Sequence, residues 1–346
     1  MTANQNREFR LAARPVGLIK PSDFQLAETP IPEPGPGQAL VRTLFLSLDP
    51  TNRVWMNDRD GYLPPVELGA VMRGGGLGQV VRSNNPAFPE GSLVQGAVGW
   101  RDYLLIGAGT GAALSPVPAG LGVPLPVLLG ALGITGLTAY FGLTELGKPQ
   151  PGETVVVSAA AGATGSVVGQ IAKILGCRAV GIAGSDDKCA WLVNELGFDA
   201  AVNYKKEGWK KQLTAACPKG IDVVFENVGG EIFDAALARI NLRARVVLCG
   251  LIASYNANEP VPGPYNFGNL LIKRAQLQGF IILDYAPRFP EGVQQLAQWF
   301  RAGRLQHRDT IVEGLEAAPV AINRLFDGST TGKLLIRVAE PPLPVT

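Results

Sequence analysis

Residues 154–183 read TVVVSAAAGATGSVVGQIAKILGCRAVGIA. A β-branched run, Thr154–Ala159, leads into a Gly-rich turn. Val167, Val168, Ile171, Ile174 and Leu175 then recur at helical spacing, and Arg178–Ala183 forms a second apolar run. Strand, glycine turn, helix and strand open a parallel α/β sheet. The pattern continues outward. Ala200–Tyr204, Asp222–Val228, Arg245–Gly250 and Leu277–Ile282 are further strand candidates. SDDKCAWLVNELG supplies a helix with Ser185 as N-cap and Gly197 as its stop. Six near-continuous apolar strands alternating with helices predict a buried parallel sheet, and six is the number in a complete doubly wound dinucleotide-binding sheet.

The flanks have a different texture. Over the first 125 residues, short strands such as Gln38–Leu46 and Gly78–Val81 sit among Pro and Gly turns. That texture predicts a β-barrel-like domain. The tail carries one more strand, Lys333–Ala339, which the barrel would recruit. The expected organisation is a barrel domain from 1–127 and 296–346, with a dinucleotide-binding domain inserted at 128–295.

The turn after the first strand reads as GxGxxG with Ala160 at the first position, then Gly162 and Gly165. Such a loop lets the backbone approach a pyrophosphate and aims a helix N-terminus at it. The following helix and the six-strand series are the context that gives the motif weight. NAD-preferring folds end the second strand with an acid for the ribose hydroxyls. Here Gly184-Ser185 stands at that place and leaves room for a 2′-phosphate. Lys188 would supply a cation and Tyr204 a hydroxyl, so NADP is expected; Asp186 and Asp187 remain alternative ribose ligands. Two other stretches imitate motifs. Gly328–Lys333 is one residue short of a P-loop and precedes a strand. Gly74–Gly78 reads as a turn between barrel strands.

Composition narrows the class. At roughly 150 residues per domain, 346 residues make about two domains. The 47% apolar and 17% charged content excludes a disordered chain. With 31 basic against 29 acidic side chains there is no electrostatic case for nucleic acid or a polybasic membrane surface. No apolar run reaches the length of a membrane span, and the first 15 residues lack a secretory apolar core. Four cysteines without a CxxC pair read as reduced, cytoplasmic thiols. The one histidine, His307, lies in the polar stretch RLQHRDT and reads as a surface residue. No Ser-His-Asp elbow and no zinc ligand cluster is present, so metal-free chemistry is expected.

The segment SAAAGATGSVVGQIAKILGCRAVGIAGSDDKCAWLVNELGFDAAVNYK, 158–205, resembles the zinc-independent medium-chain dehydrogenases/reductases. The resemblance is to the branch of prostaglandin, alkenal double-bond and curcumin reductases. LSLDP at 46–50, GLTAYFGL at 136–143, KGIDVVFENVGG at 219–230, CGLIASYN at 249–256, LQGFI at 277–281 and GKLLIRV at 332–338 extend it over nearly the whole chain. It implies a GroES-like barrel plus a Rossmann domain, NADP(H), and a homodimer. Carried onto this chain, Gly162, Ala163, Thr164 and Gly165 would hold the pyrophosphate. Ser185, Lys188 and Tyr204 would surround the 2′-phosphate. Asn227 and the loop Cys249, Gly250, Leu251, Ile252, Ser254 and Tyr255 would line the ribose and nicotinamide. Phe280, Ile281, Ile282 and Thr138 would lie beside the ring, with Thr330 in place of a family Asn.

The resemblance also implies the reaction. Hydride would go to the β-carbon of a C=C bond conjugated to a carbonyl, and a proton to the α-carbon, on a small enone or enal substrate. Alternatives in view are a quinone oxidoreductase and a crystallin-like structural or RNA-binding protein. This chain departs from the family pattern at Thr51–Trp55, at Ile134-Thr135, and at Ile272, where relatives carry a Tyr. Without metal or catalytic His, tyrosine is the remaining acid. Tyr255, in the nicotinamide-facing loop, and Tyr62, in GYLPP, are the candidates, with water as the alternative source.

Overall fold

The computed structural model describes residues 5–118 and 122–345. The chain divides into two compact units: 1–129 with 310–329 and 334–346, and 130–309 with 330–333.

The first unit is antiparallel β. Its strands are β1 (Gln5–Leu11), β2 (Phe24–Pro30), β3 (Gln38–Ser47), β4 (Gly76–Ser83), β5 (Leu93–Gly96), β6 (Tyr103–Gly107) and β7 (Leu114–Pro116). A short helix, α1 (Pro50–Trp55), follows β3; Asp49 caps it and Asn52 Oδ1 returns to the Asp49 amide at 2.8 Å. Trp100, Met72, Leu46 and Met56 are fully buried, and Phe24 stacks on Trp100 at 5.0 Å. The glycine run 74–78 corrects the sequence reading. Gly76 and Gly78 are inside β4, not in a turn. A Cβ on Gly76 would collide with the Phe45 carbonyl, so glycine lets β4 pair closely with β3 next to the register shift at Thr43–Phe45.

The second unit begins with α2 (Ile134–Phe141). The alternation then runs β8 (Thr154–Val157), α3 (Ala163–Ile174), β9 (Arg178–Ala183), α4 (Asp186–Asn194), β10 (Ala200–Asn203), α5 (Trp209–Ala216), β11 (Ile221–Glu226), α6 (Gly230–Leu237) and β12 (Ile240–Leu248). It ends with α7 (Gly268–Ile272), β13 (Gln276–Gly279) and α8 (Phe289–Arg301). The sheet order β10-β9-β8-β11-β12-β13 is the doubly wound order, and each pair is parallel. Thr154–Val157 is buried throughout, as a strand with both faces covered must be. Strand β12 starts five residues earlier than Arg245, because Ile240 pairs with Ile221 ahead of a register shift. Strand β13 stops at Gly279, which releases Phe280 and Ile281 from the sheet.

Beyond it, β14 (Asp309–Glu313) and β15 (Lys333–Arg337) complete the first unit's seven-stranded sheet, β15 pairing antiparallel with β3. The tail strand is thus recruited by the barrel unit. Among the described residues, no helix is long and apolar enough to cross a membrane.

Candidate active site

The glycine loop lies at the end of β8, next to the point where the strand order reverses. Gly162 caps α3, so the first amides of a 12-residue helix face out of the sheet. A Cβ on Gly165 would stand 2.5 Å from the Ala159 carbonyl oxygen and 2.9 Å from Ala160 Cα. Only glycine lets this turn close. The Gly332 amide donates to the Ala161 carbonyl at 2.8 Å, which brings the Thr330 segment alongside the loop.

At the end of β9, Ser185 caps α4, its hydroxyl accepting from the Lys188 amide at 3.3 Å. Gly184 lets Tyr204 and Lys205 close over the end of β9: a Cβ there would lie 3.3 Å from the Tyr204 hydroxyl and 3.5 Å from Lys205 Cε. Asp186 is engaged elsewhere. It accepts from the Asn203 side-chain Nδ2 at 3.0 Å and pairs with Lys206 at 2.7 Å, and both partners hold its carboxyl below the usual value. Lys205 was missed in the sequence reading, although it directly follows Tyr204.

The third group assembles past β11 and β12. The Asn227 amide donates to Ser158 Oγ at 2.7 Å, and its side-chain nitrogen to the Ser158 carbonyl at 2.8 Å. The amides of Cys249 and Gly250 donate to the Glu226 carbonyl, and those of Ile252 and Ala253 to the Asn227 and Val228 carbonyls. This ladder fixes a tight turn, Ile252–Ser254, that carries Tyr255. The Leu251 amide donates to the Tyr255 hydroxyl at 3.2 Å, and the hydroxyl lies over Gly250. Cys249, Gly250, Leu251, Tyr255, Phe280 and Ile281 line one cavity of about 500 Å³. Phe280 meets Tyr285 edge-on at 6.3 Å, and Tyr285 stacks on Phe141 at 5.0 Å. Thr138, on α2, turns its hydroxyl to the Ile134 carbonyl at 2.7 Å. Ile282 opens the helical turn that follows the cavity wall.

Tyr62 belongs to the first unit. It is 44% exposed, shares a short hydrogen bond with the Thr51 hydroxyl and meets the Trp55 ring at 6.4 Å. Arg73 lies over Trp55 at 5.2 Å and donates to the Pro64 carbonyl at 2.9 Å; partial burial lowers its pKa. The sequence reading names Thr51 only as a departure from the family pattern, and does not name Arg73.

His307 is a correction. Its side chain is 7% exposed, not at the surface. It packs over Gly130, where any Cβ would collide with the ring, and bonds Asp309 at 2.5 Å. Among the described residues, no three His, Cys, Asp or Glu side chains gather as a metal site. Burial pushes the Cys177 and Cys217 thiols up to about 11.

A doubly wound sheet with a glycine loop at its switch point, joined in sequence to an antiparallel β unit, defines a two-unit dinucleotide-type oxidoreductase fold. Comparison narrows the class. Residues 7–115 match a family model described as the N-terminal domain of oxidoreductase, and 163–299 one described as zinc-binding dehydrogenase. The NADPH-dependent curcumin reductase of Escherichia coli is 44% identical over 340 residues, covering 97% of both chains. The NADP(+)-dependent 2-alkenal reductase of Nicotiana tabacum is 38% identical, over 97% of this chain and 98% of its own. The crystal structure of CurA from Vibrio vulnificus in complex with NADPH has a TM-score of 0.91 and 41% identity, covering 97% of this chain and all of the other. The chain belongs to the medium-chain dehydrogenase/reductase family, in its zinc-independent branch.

Proposed function

We propose that this protein is an NADPH-dependent reductase of the C=C bond in α,β-unsaturated ketones and aldehydes. The observation that carries the reading is the cavity after β12. A tyrosine hydroxyl held by a backbone amide shares it with the Phe280–Ile281 wall, in the unit that carries the glycine loop. The similarity to curcumin and alkenal reductases supports the substrate class.

The residues fit the cofactor. The turn at Gly165 admits no Cβ, and Gly184 lies against a hydroxyl and a lysine. Amides at Ala163–Gly165 would receive the pyrophosphate, with Thr330 alongside. Ser185, Lys188, Tyr204 and Lys205 would surround the 2′-phosphate. Asn227 and the 249–255 loop would hold the ribose and nicotinamide, between Thr138 and Phe280–Ile282.

When bound, NADPH supplies the hydride that the β-carbon of the substrate accepts. Tyr255 acts on the other end of the conjugated system. The Leu251 amide donates to its oxygen and leaves the phenolic O–H to donate to the substrate's carbonyl oxygen as negative charge develops there, while a proton adds at the α-carbon. Tyr62, bonded to the Thr51 hydroxyl and beside the Trp55 ring in the first unit, is the second tyrosine to be tested for a part in catalysis.

The chain acts as a homodimer. Tyr265 and Leu271, 92% and 82% exposed, precede β13, which ends the six-stranded sheet. Exposed apolar side chains beside an edge strand suit the surface of a second copy, and light scattering should return twice the chain mass. A panel of enones, enals and quinones with NADPH tests the activity. Enones should turn over fastest; faster quinone turnover overturns the assignment.

A further inference from the structure

Glu226, which rests here on the NADPH reading above, combines three features. It closes β11, the strand beside β8 at the reversal point of the sheet, where ligands bind beyond the strand ends. Its side chain is completely buried. Oε1 accepts from the Val228 and Gly229 amides at 2.6 Å each, while Oε2 is buried without any hydrogen-bond partner. A carboxylate oxygen is costly to bury without a donor, so sequence economy alone does not account for this one.

The carboxyl is faced by the Ser158 hydroxyl from the end of β8, the Val228 and Gly229 amides ahead of α6, and the Cys249 thiol after β12. Cys249 is also a wall of the cavity. Its thiol is pushed up to about 12, first by burial and then by the Glu226 charge. The Cys249 and Gly250 amides donate to the Glu226 carbonyl at 2.9 and 3.1 Å, so Glu226 lies directly behind two residues of the cavity wall.

We propose that the Glu226 carboxylate is a buried counter-charge for the oxidised nicotinamide. Hydride passes with its electron pair to the substrate's β-carbon, the π electrons move to the carbonyl oxygen, and a proton adds at the α-carbon. The ring left behind carries one more positive charge than before. A negative charge behind the site binds NADP+ more tightly relative to NADPH and so favours hydride departure. Glu226 acts through its field and through the 227–229 turn, not by touching substrate.

Its protonation sets the sign. Burial raises the carboxyl to about 7, against the opposing pull of the two amides and Ser158. The counter-charge is present above that pH and lost below it.

Calorimetric titration of NADP+ and NADPH, separately, at pH 8.5 and 6.0 tests this. In the wild type the affinity ratio should shift about tenfold toward NADP+ at the higher pH. Both cofactors share the 2′-phosphate, so its titration cancels in the ratio. Glu226→Gln keeps an acceptor for both amides and should show the low-pH ratio at both values. Glu226→Asp should retain the pH dependence. A Gln variant with the wild-type ratio and pH dependence overturns the proposal. If that variant fails to fold, a pH-independent wild-type ratio overturns it alone. Failure of the wild type to bind either cofactor overturns the NADPH reading and this inference with it.

Discussion

The glycine loop after β8 and the tyrosine loop after β12 lie at the ends of strands in one sheet, yet they are built on opposite principles. The first is a site made of backbone. Gly162 and Gly165 matter for the atoms they lack, and its donors are main-chain amides. The second is a site made of side chains hung on a hydrogen-bond ladder. Tyr255 stands where it does because Glu226, Asn227 and Val228 each accept amides from the 249–253 segment. Backbone sites write themselves into sequence as forced glycines, whereas side-chain sites depend on partners far along the chain.

The sharpest way to break the comparison is at Gly165. A side chain there must displace the Ala159 carbonyl, 2.5 Å from the first added carbon. Gly165→Val should weaken NADPH binding by roughly a hundredfold or more, because the turn that aims the amides cannot close. Titration of the folded variant checks it; near-normal affinity would show that the loop tolerates widening and that its amides are not the principal anchor.

Tyr255→Phe comes next. Removing a hydroxyl from a preorganised site costs about 3–4 kcal/mol where the donor is essential. The expected result is a kcat lower by about two orders of magnitude, with NADPH affinity little changed. Tyr62→Phe should cost less. If both variants and the pair keep wild-type kcat in a chemistry-limited assay, water delivers the proton and neither hydroxyl is required.

The same contrast explains what the sequence disclosed. All six strands of the dinucleotide sheet, and the helix after the loop, were legible, since apolar runs and a forced glycine turn are local signals. The start of β12 was not. Its first half, INLRAR, alternates apolar with polar or charged residues instead of forming the continuous apolar run of the other strands, and Arg243 takes a left-handed backbone. Gly76 misled for the opposite reason. Glycine signals a turn locally, but here it answers a close, irregular strand pairing that the sequence does not show. The Tyr255 loop was legible through family resemblance alone. No spacing announces that the Leu251 amide meets its hydroxyl.

Lys205 offers a smaller and more discriminating test. With Tyr204 it closes over Gly184, and Lys188 rises from the first turn of α4. A charge-assisted bond to phosphate is worth about 1.5–3 kcal/mol, so Lys205→Ala and Lys188→Ala should each raise the NADPH KM about tenfold or more. The NADH KM should stay near its wild-type value. An equal rise for both cofactors would place these lysines away from the 2′-phosphate. Wild-type preference for NADH would overturn the NADP assignment.

The mildest expected effect concerns His307, where sequence and structure disagree most plainly. The polar neighbourhood RLQHRDT describes a surface, yet the ring fills the space over Gly130 and bonds Asp309 at 2.5 Å. Truncation to alanine empties that space and takes from the Asp309 carboxylate its imidazole partner. A lost buried partner costs about 1–3 kcal/mol, which should lower Tm by several degrees in thermal denaturation. The cavity walls and the glycine loop do not include His307. His307→Ala should therefore keep kcat and the NADPH KM near wild type per folded molecule. A kcat lost at unchanged Tm would instead make this histidine part of the chemistry and reopen the assignment of the proton donor.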